Sequence, residues 1–250
     1  MRVKEIYGFL DTVAPYNTQC DWDNSGFMAG SYEADVTSVM LCLDCTNDVV
    51  NQAVRKGCNL IISHHPLIFR PLKSVEAHTP LYNAIRNDIT VLSCHTNLDM
   101  AEGGVNDILC ETLSISNVQP LSAEGVPIMR MGDTDEISVN DFASAVKSRL
   151  NNSVKFTDSG KKVKKVAVCG GAGGEYIYEA LSAGCDTLVT GEAKHHEYLD
   201  AKRLGMNLVV AGHFSTEKIV LGNLCDKLSS SFPETAFYVA EEECPYETVV

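Results

Sequence analysis

Residues 38–66 read SVMLCLDCTNDVVNQAVRKGCNLIISHHP, and residues 165–192 read KVAVCGGAGGEYIYEALSAGCDTLVTGE. Adding 127 to the first stretch puts Val39 on Val166, Cys42 on Cys169, Ala53 on Ala180, Gly57 on Gly184 and Cys58 on Cys185 without a gap. Each copy reads as apolar strand, turn, helix, Gly-Cys turn and apolar strand, with the Gly where a helix C-terminus favours a left-handed residue. Further on, an offset of 118 places Val91-Leu-Ser-Cys-His95 on Val209-Val-Ala-Gly-His213, the first copy carrying a longer connection around residues 66–78.

Outward from the repeat, apolar runs predict strands over 38–43, 59–63, 89–94, 127–131, 163–169, 186–190 and 207–211. Helical spacing predicts helices at the N-terminus (Val3, Ile6, Tyr7, Leu10, Val13) and over 47–56, 80–87, 105–114, 139–150, 175–183, 193–204 and 216–228. Thr79-Pro80 and Ser138-x-x-Asp141 are helix-start signals. This alternation describes an α/β protein with largely buried strands, as two similar, pseudo-symmetric halves over residues 1–125 and 126–250.

The 250 residues carry 20 basic and 33 acidic side chains, a net charge of −13, with 45% hydrophobic residues. Disorder and disulfide miniprotein classes are excluded. The acidic balance opposes the Lys and Arg contacts that power non-specific nucleic-acid binding, so nucleic acid is not the expected partner. The polar N-terminus and the lack of a long apolar run predict a soluble, cytoplasmic chain with no membrane segment. Of ten cysteines, only Cys42 and Cys45 form a C-x-x-C, inside an apolar run, which reads as buried reduced thiols rather than a zinc site.

Four of seven histidines stand at predicted strand ends: His64, His65, His95 and His213. Asp99 follows His95 by four residues and Glu217 follows His213 by four, so an imidazole and a carboxylate recur at the crevice end of an open α/β sheet. Side chains alternate along a strand, so His64 and His65 are expected to serve different ions of a pair. Donors of N and O without thiolate suit two divalent ions such as Zn, Mn, Fe, Co or Ni. Glu192, which the offset of 127 places on His65, is read as a general base, a substrate contact or a solvated helix start. The Gly170–Gly174 run is read as a close-packed turn or an anion cradle.

Trp22-Asp-Asn-Ser-Gly26, Ser63-His-His-Pro66, His95-Thr-Asn-Leu-Asp99, Thr190-Gly-Glu192 and Gly212-His-Phe-Ser-Thr-Glu217 together resemble the NIF-three-like family, also called GTP cyclohydrolase I type 2 homologues. The resemblance spans nearly the whole chain, in the short form without an inserted domain. It implies two α/β halves forming one compact unit with a dinuclear metal site between them, and a ring-shaped homohexamer. The family's ligands correspond to His64, His65, Asp99, His213 and Glu217. His95 stands near the metals without being a standard ligand, leaving His95 and Glu192 as candidate catalytic residues. The implied activity is a metal-dependent hydrolase acting on a small anionic or nucleotide substrate, with water opening the imidazole ring of a guanine nucleotide. The alternatives are a two-metal phosphoesterase or nuclease, or a non-catalytic metal-dependent scaffold or regulatory binding protein.

Overall fold

In the computed structural model, which describes residues 1–247, short helices are interspersed with strands along the chain. The order begins α1 (Val3–Val13), β1 (Gly26–Ala29), β2 (Ser38–Cys42), α2 (Asn47–Lys56), β3 (Leu60–Ser63), α3 (Pro80–Arg86), β4 (Thr90–Ser93) and α4 (Thr96–Met100). It continues α5 (Val105–Thr112), β5 (Ser116–Ala123), β6 (Val126–Ile137), α6 (Val139–Leu150), β7 (Lys155–Thr157), β8 (Val163–Cys169), α7 (Ile177–Ser182) and β9 (Thr187–Thr190). The last elements are α8 (His195–Leu204), β10 (Asn207–Val210), α9 (His213–Glu217), α10 (Val220–Ser231) and β11 (Ala236–Val239).

Two compact units result, one of Met1–Glu102 with Val220–Glu243, the other of Gly103–Ile219 with the segment from Cys244. The first holds a mixed sheet in the order β1-β4-β3-β2-β11 and the second a mixed sheet in the order β5-β6-β8-β9-β10-β7. In the first unit β2, β3, β4 and β11 are parallel and only β1 is antiparallel. The central strands β2, β3 and β4 are buried along their whole length, which is why they read as unbroken apolar runs.

The repeat is present in the hydrogen bonds. Val39 pairs with Leu60, and their equivalents 127 residues on, Val166 and Thr187, pair in the same register. Gly57 closes α2 at φ 70°, and Cys58 N–H donates to Ala53 C=O at 2.8 Å. In the second copy Gly184 has φ 79° and Cys185 N–H donates to Ala180 C=O at 3.0 Å. Thr79 and Ser138 cap α3 and α6 as their sequences predict, accepting from Tyr82 N–H and Asp141 N–H.

The second offset is corrected by one residue. Leu60 pairs with Thr90 and Thr187 with Asn207, so once the first offset of 127 is applied, β4 and β10 are related by 117 rather than 118. The same step carries Cys94 N–H to Ser63 C=O onto Ala211 N–H to Thr190 C=O, and Asp99 N–H to His95 C=O onto Thr216 N–H to Gly212 C=O. His213 therefore stands where the first unit has Thr96, while His95 is matched by Gly212 at the helix cap. Aligning the two histidines by identity had shifted the second copy by one position.

Other differences are local. The helix expected over 216–228 is broken into α9 and α10, the strand expected over 127–131 extends as β6 to Ile137, and helix 175–183 is preceded by a 3₁₀ turn at Gly174–Tyr176. The sequence reading did not find β1, β5, β7, β11 or α4. No helix among the described residues is long and apolar enough to cross a membrane.

Candidate metal centre

The first unit assembles its histidines at the C-terminal ends of β3 and β4. His64 and His65 leave β3 directly after Ser63, anchored by their N–H groups to Cys42 C=O and Leu43 C=O at 2.9 Å each. Strand alternation would splay them to opposite faces. Regular strand geometry stops at Ser63, however, and the two rings lie 5.0 Å apart between centroids. His64, His65 and His95 each present a ring nitrogen within 4.8 Å of the others. Asp99 Oδ1 lies 3.6 Å from His64 Nε2.

Each of these rings is oriented from behind. Nδ1 of the buried His64 faces Cys94 C=O at 2.8 Å, Nδ1 of His65 faces Asp44 Oδ1 at 2.8 Å, and Nδ1 of His95 faces Asp23 Oδ1 at 2.7 Å. A carbonyl or carboxylate oxygen only accepts, so Nδ1 carries the proton and a neutral ring then has its lone pair on Nε2. A ligand histidine is held in this way by an outer acceptor.

Asp23 organises more than one ring. Its side chain is fully buried, with Oδ1 taking His95 Nδ1 and Asn24 N–H, and Oδ2 taking Thr96 N–H, Thr96 Oγ1 and Ser25 Oγ. Burial works to raise the Asp23 pKa, but the hydrogen bonds from His95 and Thr96 outweigh it and hold the carboxyl below its usual range. In the sequence Asp23 belongs only to the Trp22–Gly26 run, and nothing in the residues around Asp44 points to His65.

The second unit builds a smaller cluster at the end of β10. His213 opens α9 and Glu217 closes it, with His213 Nε2 at 2.9 Å from Glu217 Oε2. On the other side of the ring, His213 Nδ1 lies 3.0 Å from Glu192 Oε1. Glu192 thus stands behind a candidate ligand, in the position Asp44 holds toward His65. His195 and His196 begin α8 as exposed residues, with His196 Nε2 3.9 Å from Glu197.

The Gly-rich turn is a packing device. Four of its N–H groups already donate within the protein: Gly170 to Asn106 Oδ1, Gly171 to Thr216 Oγ1, Gly173 to Thr190 Oγ1 and Gly174 to Glu192 C=O, all between 2.8 and 3.1 Å. Groups so engaged do not cradle an anion. At Gly171, φ is 61° and a Cβ would lie 2.1 Å from Glu217 Oε1 and 3.3 Å from His213 Nε2, so the missing side chain leaves the room that Glu217 fills. The register equivalent of Gly171 in the first unit is Asp44, the carboxylate that orients His65.

The donor chemistry fits divalent ions. Two ligand atoms about 2.1 Å from one ion at the tetrahedral angle lie roughly 3.4 Å apart, close to the 3.6 Å between His64 Nε2 and Asp99 Oδ1 and beyond hydrogen-bond range. In the second unit His213 lies between two carboxylates, Glu192 at 3.0 Å from Nδ1 and Glu217 at 2.9 Å from Nε2, a set of nitrogen and oxygen donors that suits a divalent cation. Beside Glu192, a cavity of about 440 Å³ is lined by Asn152, Lys155, Tyr198, Gly212 and Tyr246 among others. All ten cysteines are free, and Cys42 and Cys45 are both buried, as expected of structural thiols.

Residues 1–245 match the profile of a family described as Duf34/NIF3 (NGG1p interacting factor 3). A GTP cyclohydrolase 1 type 2 homolog of Clostridium perfringens is 31% identical, with 100% of both chains covered. Another, from Clostridium acetobutylicum, is 33% identical over 87% of this chain and 85% of its own length. The crystal structure of Staphylococcus aureus hypothetical protein SA1388 superposes with a TM-score of 0.92 at 30% identity, covering 100% of this chain and 99% of that one.

Proposed function

The chain belongs to the Duf34/NIF3 family, and from that premise we propose that it is a metal-dependent hydrolase in which His64, His65, Asp99, His213 and Glu217 together hold two divalent ions. The observation that carries this reading is the shared orientation of the histidines, each with Nδ1 on an oxygen acceptor and Nε2 on the opposite side of the ring, where in His64 and His213 it faces the carboxylates of Asp99 and Glu217.

Two divalent ions would lower the pKa of water and draw in anionic groups, since Asp99 and Glu217 neutralise only half their charge. The residues of the chain divide the remaining work. His95, held by the Asp23 carboxylate, has Nε2 available to take a proton from water, and Asp23 stabilises the imidazolium that results. Asp44 and Glu192 hold His65 and His213 in their ligand tautomers. The Glu192 side chain is also exposed, so its carboxylate is a second proton acceptor at the edge of the adjoining cavity.

The substrate is a small anionic nucleotide. Relatives named as GTP cyclohydrolase 1 type 2 homologs support a guanine ring as the reacting group, with one water added across the C8–N9 bond to leave a formamide. The net charge of −13 per chain, multiplied in a hexameric ring, opposes long nucleic acids more than mononucleotides. Incubating the metal-loaded chain with GTP and following the product by mass spectrometry tests the reading. A product heavier by one water, formed only with metal present, is expected. Failure of the fully loaded chain to open any purine nucleotide would overturn it.

A further inference from the structure

The long connection that sets the first repeat apart carries Phe69, Arg70 and Lys73, all exposed. Phe69, at 45% exposure, meets Trp22, at 59% exposure, with ring centroids 6.1 Å apart and planes tilted by 55°. Both rings also stand near-perpendicular to the His95 imidazole, Trp22 at 6.0 Å and 72°, Phe69 at 6.4 Å and 75°. Because the two rings are tilted, neither covers the other's face. Their loops are tied together by the Asn24 side-chain amide, which donates to Ile68 C=O, so the aromatic pair is held in place beside the histidine cluster.

Exposed apolar side chains are ordinary when scattered singly, but two exposed aromatic rings in contact beside a polar cluster form the kind of contiguous patch that marks a ligand-binding surface. Flat π-faces bind flat heterocycles by stacking, and the chemistry adjacent to these rings is that of imidazole donors. Two cations within four residues of Phe69 are notable on a chain of −13, and they suit phosphate. We propose that Trp22 and Phe69 form the platform on which the base of a purine nucleotide stacks, with Arg70 and Lys73 meeting its phosphates. This deepens the hydrolase reading by naming how its substrate is held, and it rests on that reading for the reaction but not for the binding.

Trp22 is the only tryptophan of the chain, so its fluorescence reports on the platform directly. The full-length, metal-loaded protein is titrated with guanosine, GTP and inorganic tripolyphosphate. Guanosine and GTP quench Trp22 while tripolyphosphate does not, and Phe69→Ala weakens both quenching ligands by about tenfold. Phe69→Leu, which keeps an apolar side chain in place, loses the same affinity. An Arg70→Ala, Lys73→Ala double variant weakens GTP and leaves guanosine unchanged. Turnover of GTP without quenching, or quenching untouched by either Phe69 variant, would overturn the platform while leaving the hydrolase reading intact. Quenching without turnover would keep the platform and remove the hydrolase. A change of sedimentation in Phe69→Ala with nucleotide affinity preserved would make the patch a contact between copies of the chain and also overturn the proposal.

Discussion

Asp23 Oδ1 sits 2.7 Å from His95 Nδ1, a hydrogen bond between residues 72 positions apart in the chain. The same carboxylate reaches the first turn of α4 through Thr96, so it fixes both the ring and the helix that bears Asp99.

Asp23→Asn keeps the shape but removes the charge that stabilises a protonated His95. Turnover is expected to fall by about 10- to 100-fold with metal content unchanged. Asp23→Ala abandons several donors at once and is expected to lower the melting temperature as well. Steady-state kinetics beside elemental analysis and a thermal melt separate these effects. Equal loss of metal and activity in Asp23→Asn would make Asp23 part of ion binding instead.

The one-residue step between His95 and His213 has its own consequence. His213 lies inside its helix and His95 at the cap of its own, so the two are not equivalent. Asp99→Asn and Glu217→Gln are both expected to weaken metal affinity, whereas His95→Ala keeps most of the metal and loses activity. Metal titration of the three variants decides it. If His95→Ala lost metal as fully as Asp99→Asn, His95 would be an ion ligand in its own right despite its place at the helix cap.

Gly171→Ala should be among the most damaging single-methyl additions. The new Cβ would collide with the Glu217 carboxylate, and its backbone conformation disfavours any side chain. A lower melting temperature together with weaker metal binding is expected. A Gly184→Ala control, also at positive φ but with open space around it, should be destabilised while binding metal normally.

The parts of the fold legible in the sequence were those whose neighbours lie nearby in the chain or whose burial is continuous. The buried parallel strands β2, β3, β4, β8, β9 and β10 showed as apolar runs, and Thr79 and Ser138 marked helix starts because capping is local. The strands β5, β7 and β11 are largely exposed or at sheet edges, and β1 is a short antiparallel addition, so none carried that signal. At the site, the ligand types were visible in the strand-end histidines. Asp23 and Asp44 were not, because what each does is decided by a histidine 72 or 21 residues away.

Buried thiols give the protein a pH limit. Burial pushes Cys45, Cys94 and Cys110 up to about 12 and Cys185 up to about 11. Thiols in the unfolded chain ionise near 8.5, so the folded state holds more protons than the unfolded state between about pH 8.5 and 12. Stability is complete below that window and falls as pH rises through it. The urea midpoint at pH 10 should lie clearly below that at pH 7.5, and Cys→Ser variants at these positions should reduce the difference. A midpoint independent of pH across that range would contradict the burial of these groups as neutral thiols.

The central claim is that His64, His65, Asp99, His213 and Glu217 hold metal together, and elemental analysis of the purified chain under metal-replete conditions tests it most directly. About two divalent ions per subunit are expected for the wild type, with nearly none in a His64→Ala, His213→Ala double variant that remains folded by circular dichroism. A wild-type stoichiometry near zero, or metal retained undiminished in the folded double variant, would contradict the account.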